Sequence, residues 1–372
     1  MLDLNALLQG ARKARVSDIL FSVGVPPAYK LGDEYVPVGN RPVSMRDMEE
    51  LLGLLHPEWP GILRDTLAGV RPAQDHVASF AGVVARFRAH LSWALPDPFA
   101  AVVEADRQDL VPVVNLRVIP GVPETFDALG LPQALETVVQ RRFGLFLVAG
   151  PSDSGKTTTL AAMIEAINRS QPRHVVTIEN PVEYVYERKQ ALIHQREVGR
   201  HVPSLLDGVY SALRQNVSVL AVGEARTSEE LLALVEAAET GHLVMATMHG
   251  KGVVHVLERF YWAAPGERRA SAFQALASLL IGIIAQRLVP VGAGLERRRV
   301  LAYELLLVNE RVRQLLRGEQ IGSVYELLHE GIAGSRSLEA SLAALVRKGV
   351  IDLPVARAYA NREEELVSLL RV

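Results

Sequence analysis

The chain contains no cysteine, which excludes a disulfide framework and any thiolate zinc site, and fits a reducing compartment. It has no apolar run approaching the roughly 18 residues that a bilayer-spanning helix requires. No block of about five or six Lys or Arg occurs, so binding to nucleic acid through released counterions has little support. The net charge of -2 and a pI near 6.6 point the same way. Aromatic residues are few, 6% of the total, and none sits in a basic stretch of the kind that stacks single-stranded bases, so no direct nucleic-acid contact is expected. The opening "MLDLNALLQGARKARVSD" has an acidic third residue and no long apolar run, which is the pattern of neither a signal nor a transit peptide. It reads as an amphipathic helix, and a cytoplasmic location is the expectation.

What is present suits an ordinary globular protein. With 49% hydrophobic and 22% charged residues the chain can bury a sizeable core, and 372 residues suggest two domains. The first hundred or so alternate short β-like runs, "ILFSVG", "AYKLGDEYVPVG" and "VVARFRAHL", with a helical pattern around "SMRDMEELLGLL". This predicts an α+β domain over residues 1–120. "VIPGVPETFDALGLP" is rich in Pro and Gly and lacks period, so a linker is expected over 121–132. From 133 to 372 strand-length apolar runs ("LFLVAG", "HVVTIEN", "VLAVGE", "LVMATMHG") alternate with helical patterns, which predicts parallel strands covered by helices on both faces. Beyond about Val254 the periodicity reads as mostly helical, with "ASAFQALASLLIGIIAQRL" and "SLEASLAALVRKG" as its clearest helices.

Within that α/β region "GPSDSGKTTT" follows a strand-like run and matches G-x-x-x-x-G-K-[ST] at Gly150, Gly155, Lys156 and Thr157. Glycines there let backbone N–H groups converge on phosphate oxygens, the lysine reaches the β- and γ-phosphates, and the Thr hydroxyl ligates Mg²⁺. Ser152, Asp153, Ser154 and Thr158 complete the stretch expected to surround the nucleotide. Asp153 is an acid inside an anion-binding loop; it either points to solvent or weakens binding. No N-K-x-D triplet of the guanine-reading type is present, which favours ATP.

Four signatures in order, "GPSDSGKT", "TIENPVEYV", "VGEAR" and "AAETGHLVMATMHG", with "LIHQREVG" between the second and third, resemble the type IV pilus retraction ATPases (PilT/PilU) of the secretion ATPase superfamily. The resemblance runs from "VSDILFSVGVPPAYKLGD" to "VRQLLRG". It implies a PAS-like N-terminal domain, a RecA-like ATPase domain and a homo-hexamer on the cytoplasmic side of an inner-membrane pilus platform protein. A paralogous retraction ATPase is a further partner it suggests, and ATP and Mg²⁺ are the implied ligands. By position, Glu224 resembles the glutamate that orients the attacking water, and Glu179 and Glu183 the acidic box, where Thr157 and Glu179 would hold Mg²⁺. Asn180 stands where the family usually has aspartate. His242 and His249 match the histidine box, in which an imidazole senses the γ-phosphate; in isolation a His pair flanking "LVMATM" is more often structural. Gly250 and Lys251 replace the usual Thr-Ser. Arg86, Arg88 and Arg117 are the candidate fingers supplied to a neighbouring subunit's nucleotide, within a region longer and more acidic than the family segment and with Leu110 in place of a usual arginine. "NERVRQLLRGEQ" resembles the retraction-associated helix motif, retaining Arg313, Leu315 and Arg317; read alone it is an amphipathic surface helix. The extension and secretion ATPases usually carry a four-cysteine zinc module, which this chain lacks. A weakly active accessory subunit is the other alternative.

Overall fold

A computed structural model describes residues 3–371 apart from 14–15, 32–33, 73, 75, 82–85, 96–109, 120, 124 and 292–297. The described residues divide into two compact units at 121/122. In the first, α1 (Leu4–Lys13), β1 (Asp18–Ser22), β2 (Ala28–Leu31), β3 (Glu34–Pro37), α2 (Met45–Leu55), α3 (Trp59–Leu67), β4 (His76–Ala81), β5 (Arg86–Ala94) and β6 (Val111–Ile119) follow in order. The strands pair antiparallel as β3-β2-β1-β6-β5-β4. Alternate residues Phe87, Ala89 and Leu91 turn inward to join Ile19, Phe21, Leu116 and the apolar stripe of α2. Period 2 on the strands meets period 3.6 on the helix in one core. A capping box between Ser44 and Asp47 starts α2.

The second unit holds α4 (Leu135–Val139), β7 (Gly144–Ala149), α5 (Lys156–Ser170), β8 (His174–Glu179), β9 (Leu192–Glu197), α6 (Leu205–Leu213), β10 (Val219–Ala225), α7 (Ser228–Glu239), β11 (Leu243–Met248), α8 (Val253–Ala263), α9 (Arg269–Leu279), β12 (Leu280–Val291), β13 (Arg298–Leu307), α10 (Glu310–Arg317), α11 (Val324–His329), α12 (Leu338–Arg347), α13 (Leu353–Tyr359) and α14 (Glu363–Leu370). Among the described residues its sheet runs β13-β12-β7-β11-β10-β8-β9, parallel except at the β12–β13 pair. Leu145, Leu147 and Ala149 of β7 pack on the face covered by α6 to α9, and Phe146 and Val148 on the face covered by α4 and α5. A strand buried on both sides reads as a continuous apolar run, as "GLFLVA" does. The α/β expectation holds on this sheet.

Two expectations differ from the structure. The stretch 121–132 is packed into the second unit: Phe126 and Leu131 are buried with Leu135 and Val138, because its few apolar side chains have a core to join. The helix expected through "ASAFQALASLLIGIIAQRL" ends at Leu279, and the chain continues as the long strand β12. An apolar run fits a buried helix or a buried strand equally; the β-branched "IGII" decides for the strand once β7 and β13 are available on either side.

The C-terminal helices α12 to α14 pack Leu338, Leu342, Ile351, Ala356 and Leu366 onto Val289 and Ala302 of the β12–β13 hairpin. At the hairpin's edge lie two buried carboxylates. Glu339 accepts from the Asn361 and Arg362 N–H groups at 2.9 Å each and from the Tyr325 hydroxyl at 3.0 Å. Glu304 accepts from the Val253 N–H, at the first turn of α8, at 3.0 Å. Burial and the Glu339 charge push the Glu304 carboxyl up to about 7, against the pull of the Val253 N–H, Arg287 and Arg362. The native chain therefore keeps a proton on Glu304 that the unfolded chain releases, and stability falls as pH rises from about 4.5 to about 7, by about 3 kcal/mol at the upper limit. Glu304→Gln keeps the acceptor for Val253 and removes the ionisation. Denaturant melts at pH 5 and pH 8 are expected to differ by that much less in the variant; an unchanged difference would show that the carboxyl titrates elsewhere.

Candidate active site

The parallel strands β7, β8, β10 and β11 end together. Ala149 pairs with Met248, Met248 with Ala225, and Val222 with Ile178, so the loops following all four strands emerge at one sheet edge. Ligands in open α/β sheets bind beyond such carboxyl ends.

The loop after β7 is shaped by its glycines. Gly150 has φ of 154°, and a Cβ there would stand 2.3 Å from Ser154 Oγ and 2.6 Å from the Gln286 carbonyl, so only glycine fits. Gly155, at φ 85°, turns the chain into α5. Asp153 is exposed with φ of 58°, in the left-handed region that Asp and Asn tolerate better than most side chains. The residue is exposed, and its charge is still near enough to act on Lys156. Ser152 is also exposed. Ser154 donates from Oγ to the Pro151 carbonyl at 2.9 Å, and Thr158 shares a hydrogen bond with the Tyr184 hydroxyl at 2.9 Å; both side chains tie the loop to the chain itself. Thr159 accepts from the buried Gln286 amide at 2.7 Å, joining α5 to β12.

Lys156, at the start of α5, is buried and donates to the carbonyls of Gly150 at 3.1 Å and Pro151 at 2.7 Å. Burial lowers its ammonium pKa, while Glu224, Asp153 and Glu183 are near enough for their charges to oppose that shift. One cation thus faces three carboxylates at a helix N-terminus, whose first-turn N–H groups have no intrahelical acceptors.

Glu224 owes its direction to a bulge. The β10–β11 register shifts between Val222 and Glu224, and the bulged Gly223 accepts from Thr247 Oγ1 at 3.1 Å. A Cβ on Gly223 would be 3.3 Å from Glu179 Cα, so glycine lets the ends of β10 and β8 approach. Both Glu224 oxygens are engaged. His249 Nε2 stands 2.6 Å from Oε1, and Arg226 donates to Oε2 from Nε at 3.0 Å and Nη2 at 2.7 Å. Glu179 Oε1 accepts from Thr177 Oγ1 at 2.6 Å and Gln195 Nε2 at 3.3 Å; burial pushes its carboxyl up, and these bonds with the Glu183 N–H pull it down. Thr157, Thr177, Glu179 and Tyr184 line one small cavity between α5 and β8.

His242 requires a correction. It immediately precedes β11 while His249 immediately follows it, and six strand residues at about 3.3 Å each separate them by about 20 Å. His242 Nδ1 sits 3.1 Å from the Ala237 carbonyl and 2.9 Å from Thr240 Oγ1, at the far end of the sheet from Lys156. Within one chain it has no part in the site. Gly250 is buried, and a Cβ there would meet Val256 Cγ2 at 2.7 Å and Ala149 Cβ at 3.4 Å. The glycine in place of the usual Thr lets this loop close onto β7 and α8.

Of the finger candidates, Arg117 donates from Nε to the buried Asp18 at 3.2 Å in the first unit. Arg86 and Arg88 fall on β5, and their side chains lie outside the described residues. In α10, Asn309 caps the helix, Val312 and Leu316 are buried, and Arg313 donates to the Ala277 and Ser278 carbonyls at the end of α9, at 2.7 and 2.6 Å. Sequence reasoning assigned no role to Arg226, Gln286 or Arg259. Arg226 was within reach, since it lies two residues after Glu224 in a quoted signature; the other two carry no local signal.

An edge with a glycine-shaped loop, one buried lysine, a hydroxyl–carboxylate pair and a glutamate held by imidazole and guanidinium is equipped for phosphoryl transfer to water. The comparisons agree. Residues 124–353 match the family model described as Type II/IV secretion system protein. The type IV pilus retraction ATPase PilT of Pseudomonas aeruginosa is 31% identical over 98% of this chain and 99% of its own length. The type IV pilus ATPase PilU of the same organism is 30% identical over 96% of this chain and 88% of its own. A crystal structure of the pilus retraction motor PilT with bound ADP superposes with a TM-score of 0.84 at 31% identity, covering 99% of this chain and 100% of that one.

Proposed function

The chain belongs to the type II/IV secretion system protein family, and from that premise we propose that it is a ring-forming motor of the pilus retraction branch, hydrolysing ATP at the edge formed by β7, β8, β10 and β11. It is a P-loop ATPase. The observation that carries the catalytic reading is the contact between Glu224 Oε1 and His249 Nε2, 2.6 Å, beside the loop that buries Lys156. Lys156 and the α5 N-terminus bind the phosphates, Glu224 orients and accepts a proton from the attacking water, and His249 responds to the γ-phosphate. Glu183 adds negative charge near Lys156.

Thr157 and Glu179 would hold Mg²⁺, because a hydroxyl and a carboxylate are hard oxygen donors. Among the described residues no three acidic or histidine side chains form a metal site by themselves, so a cation here would complete its shell with water and phosphate oxygens. Bound there, it would neutralise charge on the β- and γ-phosphates. Arg86, Arg88 and Arg117 would act on the nucleotide of an adjacent copy, which requires the ring; six copies is the family's number. The motor would dock on an inner-membrane platform protein from the cytoplasm. Among the described residues no helix is long and apolar enough to cross a membrane.

An accessory role beside a paralogue is the second reading. It is favoured by Asn180, which removes one negative charge from the acidic box, and by the near-equal likeness to PilT and PilU. Steady-state ATPase of the full chain alone, with its mass by light scattering, decides between them. Robust Mg²⁺-dependent turnover by a hexamer supports the autonomous motor. Background turnover that rises only with a paralogue supports the accessory role, and turnover by a monomer would refute the ring.

A further inference from the structure

The β10–β11 ladder stops at Ala225 and Met248. The next residues, Arg226 and His249, are those whose side chains grip the two oxygens of Glu224, and no ladder pair reaches them. Arg259, midway along α8, occupies the place of the missing rung. Its Nη1 donates to the His249 carbonyl at 2.7 Å and its Nη2 to the Arg226 carbonyl at 3.0 Å. The guanidinium fork is planar and rigid, so two carbonyls bound by one fork are held at a fixed spacing.

The helix that carries Arg259 is itself anchored. Val256, Leu257 and Phe260 are fully or nearly fully buried, and the α8 N-terminus is held by Glu304 through the Val253 N–H. The Arg226 N–H donates to Glu230 at 2.6 Å, and Thr227 caps α7, so the second loop is also fixed on its helix side. The span between the two loops past the end of the ladder is the part that depends on Arg259.

We propose that Arg259 is a positioning residue for ATP hydrolysis: by bridging the carbonyls of Arg226 and His249 it sets the distance between the two side chains that hold Glu224. This rests on the reading that Glu224 and His249 serve hydrolysis. Arg259 hydrogen-bonds to the two carbonyls and acts through the backbone. A displacement of about 1 Å at a reacting group costs on the order of 100-fold in rate.

The test uses the full-length protein with Arg259→Gln and Arg259→Lys. Arg259→Gln is expected to lower kcat about 100-fold with KM for ATP within about threefold, and Arg259→Lys, which retains a donor for one carbonyl, to recover at least about tenfold of that loss. In a His249→Ala background Arg259→Gln should cost less than about threefold, since the spacing it sets no longer matters. A readout free of turnover is the ring signal of His249 in protein labelled with ¹³C-histidine, assigned by its loss in His249→Asn. In Arg259→Gln it should move towards its position in Glu224→Gln. An unchanged kcat, an additive loss in the His249→Ala background, an unmoved His249 signal, or a KM raised more than about tenfold with kcat intact would each overturn the proposal, the last by making Arg259 a nucleotide contact. Should Arg259→Gln not fold, Arg259→Lys is judged by the same signal. If Glu224→Gln retains full turnover, the reading of the site fails, and the His249 signal still decides whether Arg259 sets the spacing.

Discussion

Glu224→Gln is expected to reduce ATP turnover by about 10²–10⁴-fold while leaving nucleotide affinity within about threefold of wild type. The substitution conserves shape, so the bulge at Gly223 and the packing of β10 on β8 remain. What changes is charge and proton capacity. A carboxylate accepts at both oxygens, and here His249 and Arg226 take one each. An amide offers one acceptor and one donor, so one partner then faces an N–H group, and the side chain can no longer accept a proton from water. Stability should hardly change, because the Arg226 side chain is 68% exposed and an ion pair so open to solvent contributes little. Phosphate release and fluorescent-nucleotide titration on the same preparation separate the two effects. Turnover at the wild-type rate would remove Glu224 from the catalytic role.

Lys156→Ala should instead abolish binding. Its ammonium is desolvated and balanced by Glu224, Asp153 and Glu183. Removing it takes away charge-assisted bonds worth about 1.5–3 kcal/mol each and leaves three carboxylates facing an incoming polyphosphate. Two such bonds correspond to at least about 100-fold in affinity. The folded chain loses the bonds to the Gly150 and Pro151 carbonyls and the attraction of three nearby carboxylates, offset by no longer desolvating an ammonium, so the melting temperature should move by no more than a few degrees. Equilibrium titration with ATP measures the first and thermal unfolding the second. Binding within threefold of wild type would show that the loop holds no phosphate through this lysine.

Much of the site was readable because its chemistry is local in sequence. Gly150, Gly155, Lys156 and Thr157 fall within eight consecutive positions, and a strand before the loop and a helix opening at Lys156 leave it little alternative. Glu224 was readable as a carboxylate at the end of an apolar strand, and Glu179 only through the family resemblance. The pairing that gives Glu224 its direction was not, since it depends on a one-residue bulge against β11. The two histidines show the same limit. Flanking one six-residue strand made them look alike, and the sheet sends one to the nucleotide edge and the other to the opposite end.

The sequence by itself determined the phosphate loop and the alternating strands and helices from β7 to β11, because each rests on spacing within a few residues, while the acidic and histidine assignments came from the resemblance. Tertiary structure alone decided that "LIGIIAQRLVPV" is a strand, that 121–132 joins the second core, and that Arg259 bridges two loops. Each of these is settled by a partner distant in the chain: β7 and β13 for the strand, Leu135 and Val138 for the buried Phe126, the carbonyls of Arg226 and His249 for the guanidinium. An apolar run or a lone arginine carries the same local preference wherever it stands. The free energy that selects its conformation comes from burial and from hydrogen bonds that exist only once the chain has closed on itself.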